Sequence, residues 1–260
     1  MTLAAESIHV TYPGGRHALR GVSCIVRPGR VTAVVGPNGG GKSTLLRVLA
    51  GVKRPNEGVV CLDSRPLGDF SPRERARRIA LVAQQPEVAF DFDTRTVVGF
   101  GPLGSGGSRD AVDRAMDRLA LDDLARVPFG ALSVGQRQRV SLARAVAQID
   151  GREGALLLAD EPIAAMDPRH AADAMLMFAD LARAGVGVVV VLHDLTAAAR
   201  IAQDVVLLAG DGRCAGCGPA DEMLSQATLS RLFATPMVRT DAPGLGVVIA
   251  PGIPGRDASV

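Results

Sequence analysis

Two hydrophobic periods alternate along the chain. Residues 4–10 and 22–26 alternate or run apolar between the turn signals Pro13-Gly14-Gly15 and Pro28-Gly29, which predicts short, antiparallel strands. Val31 to Val35 is a run dominated by β-branched residues and closed by Gly36, the pattern of a buried strand. From Ser43 to Ala50 the leucines at 45, 46 and 49 fall on one helical face, and Gly51 stops the pattern. The local order is therefore strand, glycine loop, helix. Ser71-Pro72-Arg73-Glu74 opens a basic helix, a glycine-rich stretch runs from Gly99 to Gly107, and Asp110–Leu121 and Ser133–Gln148 have helical spacing. The middle third is thus predicted to be mostly helical, a subdomain of its own. Beyond it, apolar runs at Ala155–Ala159, Gly187–Leu192 and Val205–Ala209 alternate with helical stretches at Arg169–Ala184 and Thr196–Ala202. Such alternation argues for a parallel sheet with helices on both faces. Pro236, Pro243, Pro251 and Pro254 punctuate the C-terminal end, which predicts a loose tail.

Composition narrows the function classes. A length of 260 residues fits one large domain or two small ones, and 47% hydrophobic with 22% charged residues argues against a disordered chain. A net charge of +2 and 3% aromatics argue against nucleic-acid binding. No apolar run reaches the roughly 18 residues of a membrane helix; the run Gly185–Leu192 is closed by His193 and Asp194. The first ten residues show no basic-then-apolar leader pattern, and four cysteines (24, 61, 214, 217) are too few for a disulfide scaffold, which together favour a reducing compartment. Scarcity is the unusual feature: no Trp, a single Tyr (Tyr12) and two Lys (Lys42, Lys53).

Gly36-Pro37-Asn38-Gly39-Gly40-Gly41-Lys42-Ser43-Thr44 fits the P-loop pattern in its required setting, after an apolar strand and before a helix. Glycines let backbone N–H groups turn toward phosphate oxygens, the helix adds its positive end, Lys42 brings a full charge to the β/γ-phosphates, and the Ser43 hydroxyl suits Mg²⁺. Leu156–Ala159 then ends in Asp160-Glu161. A P-loop needs a second Mg²⁺ partner at the tip of a neighbouring strand, a role for Asp160, while Glu161 is placed to orient or deprotonate water.

Leu132-Ser133-Val134-Gly135-Gln136, followed by a basic helix from Arg137, resembles the LSGGQ signature of the ATP-binding subunits of ABC transporters. The resemblance covers roughly residues 4–238. It implies an α/β fold: a P-loop NTPase (RecA-like) core with a parallel sheet, an antiparallel β-subdomain and a helical subdomain at about 86–150. The expected domain is 1–238, followed by a Pro/Gly-rich tail, 239–260. By the same resemblance, Ser133, Gly135 and Gln136 bind the γ-phosphate held by the P-loop of a second copy, so that two ATP molecules join a head-to-tail homodimer. Gln84, after Leu81-Val82-Ala83, matches the glutamine that joins the metal site to the helical subdomain; Gln85 is the weaker match. Ala164–Asp167 matches the D-loop, His193 the switch histidine that contacts the γ-phosphate, and Tyr12 the aromatic that stacks on adenine.

Departures are few. Val134 stands where the signature has its first glycine, which predicts reduced but real ATPase activity, and Ile163 replaces the usual Thr or Ser after Asp-Glu-Pro. Cys214-Ala215-Gly216-Cys217 would need two further ligands to bind metal, Cys24 and Cys61 are far away and unpaired in motif, and the segment is read as an incidental hairpin. Only one P-loop is present, which counts against twin-cassette translation factors, and the stretch from Gln84 to Leu132 is too short for the coiled-coil arm of a DNA-repair or chromosome ATPase. The Gln84–Gly101 stretch, with Phe90-Asp91-Phe92, and the pattern Leu229–Phe233 then Pro236-Met237 resemble the ATPases of iron-siderophore, haem and cobalamin importers, haem import above all. That implies separate membrane permease subunits, indirectly a periplasmic binding protein, and a place on the cytoplasmic face of the inner membrane. Motors for a metal ion or phosphonate, and non-transport ABC ATPases, are the alternatives.

Overall fold

The computed structural model describes residues 2–84, 91–150, 152–244 and 246–252. In chain order the elements are β1 (Leu3–Thr11), β2 (His17–Val26), β3 (Val31–Val35), α1 (Lys42–Leu49), β4 (Glu57–Leu62), β5 (Arg65–Pro66), α2 (Pro72–Ala76), β6 (Ile79–Val82), α3 (Thr94–Ser105), α4 (Arg109–Arg118) and α5 (Val134–Ile149). Then come β7 (Leu156–Asp160), α6 (Pro168–Arg183), β8 (Gly187–Val191), α7 (Leu195–Ile201), β9 (Asp204–Leu208), β10 (Cys214–Pro219), α8 (Ala220–Met223), α9 (Gln226–Phe233), β11 (Met237–Ala242) and β12 (Gly246–Pro251).

A six-stranded sheet, ordered β10-β9-β3-β8-β7-β6, carries the core. All its pairings are parallel except β10 with β9. Strand parity splits its side chains between two cores. Val31, Ala33, Val35, Leu157 and Ala159 face the helices α3–α7. Val34, Leu156, Leu158, Val189 and Val191 face α1 and the antiparallel sheet β2-β1-β4-β5. Helix α1 lies in this second core, with Leu45, Leu46 and Leu49 buried. Burial on both faces explains why the central strands read as continuous apolar runs.

The glycine-rich stretch Gly99–Gly107 is a helix for most of its length. Asp93 caps α3 by accepting from the Thr96 N–H at 2.7 Å. A side chain at Gly101 would meet the Arg144 carbonyl oxygen at 2.1 Å, so glycine here is what lets α3 press onto α5. Gly106, at φ +77°, ends the helix.

The expected loose tail is corrected as far as residue 252. β11 and β12 pair in register as an antiparallel hairpin, with Met237 and Ile249 buried. The Thr196 hydroxyl donates to the Ile249 carbonyl (3.1 Å) and accepts from the Ile249 N–H (3.0 Å), which pins the hairpin to α7. The prolines sit at Pro236, Pro243 and Pro251, before, within and at the end of the hairpin, where they cost little pairing. The boundary expected at 238 therefore falls inside a strand.

Candidate functional site

Strand β3 delivers Gly36 to the carboxyl edge of the parallel sheet, and residues 36–41 return the chain into α1. A side chain at Gly36 would meet the Leu208 carbonyl oxygen at 2.1 Å, and Gly41, at φ +89°, would meet that of Ala18 at 2.2 Å. No other residue fits either position. Helix α1 has no side-chain cap at Gly41, so its first N–H groups and the positive end of its dipole face the loop. The buried Lys42 ammonium donates to the carbonyls of Gly36 (2.8 Å) and Pro37 (2.9 Å). Burial lowers its pKa, while Glu161 and Asp160 push it back up.

A cavity of about 390 Å³ opens on this loop. Asn38, Gly39 and Gly41–Thr44 form one wall; Gln84, Glu161 and His193 form the other, and Arg16 reaches in from the β1–β2 turn. Gly40 braces the loop from below, its N–H donating to Pro37 O at 3.2 Å.

Asp160 ends β7. Sequence reasoning expected it on a strand adjacent to β3, but β8 lies between them. Helix α1 closes the gap by crossing the sheet edge, and the Ser43 hydroxyl donates to the Asp160 carboxylate. Burial raises the Asp160 pKa; the Ser43 bond opposes this and Glu161 adds to it. Its Oδ1 is buried without a partner. An orphaned carboxylate oxygen, a serine hydroxyl and the Gln84 amide oxygen are an all-oxygen donor set, which fits a hard divalent cation such as Mg²⁺.

Glu161 stands at φ +50°, a left-handed conformation that costs a non-glycine residue on the order of 1 kcal/mol. That turn aims its carboxylate between two neighbours. Oε2 accepts from the Gln84 amide at 2.9 Å, and Oε1 lies 2.5 Å from His193 Nε2. Gln84 follows β6 and His193 follows β8, so three strand ends converge on the loop. Ligands of open parallel sheets bind at this edge.

Tyr12 is half-buried, its hydroxyl 3.3 Å from Thr44 Oγ1. Ser133, Gly135 and Gln136 do not line the cavity of their own chain. They open α5 as a capping box: Gln136 N–H donates to Ser133 Oγ (3.2 Å), and Ser133 N–H donates to Gln136 Oε1 (2.8 Å). Gly135 is required because a side chain would meet the Ala165 carbonyl oxygen at 2.4 Å, whereas Val134 is 55% exposed. Gln85 and Phe90 lie outside the described residues.

Two residues were missed from sequence. The buried Gln138 donates to the Glu161 carbonyl (3.4 Å) and accepts from the Ala165 N–H (3.1 Å), tying the signature helix to both the acidic turn and the D-loop. Its place one turn into α5 was the available signal. Arg16 carried none. The cysteines also need revising. Cys24 is not remote from the C-x-x-C: β2 packs on β10, and burial, with Cys217 and Cys214 adding, pushes the Cys24 thiol up to about 12. Among the described residues no group of three potential ligands is arranged to hold a metal.

Residues 19–164 match the family model described as ABC transporter. The chain is 44% identical to the hemin import ATP-binding protein HmuV of Streptomyces coelicolor, over 95% of this chain and 89% of the relative. It is similar in structure to a metal-chelate type ABC transporter in an inward-facing conformation, with a TM-score of 0.78, 25% identity, and coverage of 97% and 98% of the two chains. A dimeric, post-hydrolysis ATP-binding cassette bound to ADP and Pi aligns with a TM-score of 0.74 and 26% identity over 84% of this chain and 98% of that one.

Proposed function

The chain belongs to the ABC transporter family and is an ATPase, and from that premise we propose that it is the motor subunit of a bacterial importer for haem or a related iron chelate, iron-siderophore or cobalamin. The convergence of Gln84, Glu161 and His193 on the P-loop cavity supports the catalytic half of this reading. The relatives' printed role in hemin import supports the cargo.

Two copies close head to tail around two ATP molecules. Gly36–Thr44 of one copy wraps the phosphates, with Lys42 turning onto the β/γ-phosphates, and Ser133 and Gly135 of the other copy meet the γ-phosphate; Gln136 acts there chiefly as the cap that presents Ser133. Tyr12 stacks on adenine. Ser43, Asp160 and Gln84 would hold Mg²⁺, which when bound would neutralise phosphate charge. Glu161 orients the attacking water and accepts its proton, with the carboxylate held in place by Gln84. His193 donates from Nε2 to the γ-phosphate.

The Gln84–Gly101 region passes closure to separate permease subunits. Phe92 and the 75% exposed Leu103 put apolar surface on and beside it. No described helix is long and apolar enough to cross a membrane, so the permease holds the motor at the cytoplasmic face, with a periplasmic binding protein delivering cargo from the other side. The test is reconstitution in vesicles with a haem-importer permease and its periplasmic binding protein. Hemin-loaded binding protein should stimulate ATP hydrolysis. Stimulation by another cargo alone would move the assignment to a metal-ion or phosphonate importer. Hydrolysis indifferent to every permease would favour a non-transport ATPase.

A further inference from the structure

Two of the scarce residues of this chain, Lys53 and Tyr12, meet at one place. Lys53 Nζ lies 4.4 Å from the centroid of the Tyr12 ring. Among the described residues this ring is the only partner the Lys53 ammonium has. The segment that carries Lys53 is tied to the strand that carries Tyr12. Beyond α1, the N–H groups of Val52 and Lys53 both donate to the Arg47 carbonyl (2.9 and 3.0 Å), which turns the chain back. Three residues on, Asn56 N–H donates to His9 O (2.8 Å), and Asn56 Oδ1 accepts from the Thr11 N–H (2.7 Å), one residue before Tyr12. The tyrosine is thus held at its hydroxyl by Thr44 and on one face of its ring by Lys53.

We propose that Lys53 is a positioning residue for nucleotide binding: it backs one face of the Tyr12 ring, so that the ring is fixed in plane and offers its opposite face to the purine. This rests on the reading that Tyr12 stacks on adenine. Two physical effects act together. Fixing the ring removes conformational freedom that base binding would otherwise have to remove. A cation on one face also draws π density toward itself, which leaves the other face less negative and better suited to an electron-rich base. Arginine would keep both effects, since its guanidinium stacks on aromatic faces.

With no Trp and one Tyr, the intrinsic emission of the protein comes from Tyr12. The experiment is an ATP titration followed by that emission, with steady-state hydrolysis, for the unaltered chain, Lys53→Met and Lys53→Arg. ATP should change Tyr12 emission in all three. Lys53→Met should raise both Kd and KM about threefold, as expected for an exposed cation–π contact, with kcat changed less than about twofold. Lys53→Arg should restore them, and inorganic tripolyphosphate, which has no base, should compete equally well against all three. Unchanged or tighter ATP binding by Lys53→Met would overturn the proposal; tighter binding would mean that Lys53 covers the face the base needs. Equal weakening of tripolyphosphate would also overturn it, reducing Lys53 to a general positive charge. If ATP is hydrolysed by the unaltered chain without altering Tyr12 emission, the stacking role of Tyr12 itself fails.

Discussion

His193 Nε2 lies 2.5 Å from Glu161 Oε1, although the two residues arrive from different strand ends, β8 and β7. With Gln84 on the other carboxylate oxygen, Glu161 is gripped from both sides at the edge of the P-loop cavity. A residue in a left-handed backbone conformation persists only where its surroundings hold it, and here two side chains do so. On the proposed mechanism, that same His193 nitrogen leaves Glu161 to meet the γ-phosphate. Replacing His193 with Ala should therefore lower kcat by roughly 100-fold or more while moving the ATP KM only a few-fold. Steady-state kinetics check this; a large KM effect with kcat intact would place His193 in binding rather than in the chemical step.

Val134 departs from the signature at an exposed position. Its side chain is 55% exposed, while its neighbour Gly135 is wedged against the Ala165 carbonyl. On the proposed head-to-tail pairing, the penalty from Val134 arises where the signature closes on the partner's nucleotide. Val134→Gly should raise ATPase activity several-fold while lowering Tm by no more than a few degrees, the amount expected of a glycine near a helix end. Unchanged or reduced activity would remove Val134 as the brake.

The thiols give a test by labelling. Burial holds the Cys24 pKa at about 12, and burial also raises that of the exposed Cys217. At pH 8, native protein should leave Cys24 unmodified by iodoacetamide and label Cys217 slowly, as read by peptide mass. Because the folded state keeps a proton that the unfolded chain releases above the ordinary value of 9.0, this contribution to stability is complete below pH 9 and is lost as pH rises toward 12. Rapid labelling of Cys24 in folded protein, or zinc retained through dialysis, would contradict the packed-hairpin reading.

The P-loop, Asp160-Glu161 and the signature were legible because each is a contiguous string whose chemistry depends on its own backbone. What stayed hidden depends on partners distant in the chain. Nothing between Gly99 and Gly107 says that Gly101 faces the Arg144 carbonyl, so a helix contact read as a glycine-rich stretch. Nothing in the proline-spaced tail announces the two hydrogen bonds from Thr196 that order it. Asp160 was expected on a strand next to β3 and lies one strand further away, because strand order across β8 is a tertiary fact. Lys53 had no role until the fold laid it over Tyr12.

The pairing of two copies around ATP, with Glu161 as the residue that ends the closed state, is tested most directly by Glu161→Gln. The amide keeps the shape and the bond to His193 or Gln84 but cannot take a proton from water. Light scattering should find this variant monomeric without nucleotide and a stable dimer with ATP, with hydrolysis reduced at least about 100-fold. A variant that stays monomeric with ATP, or that hydrolyses ATP at the normal rate, would contradict it.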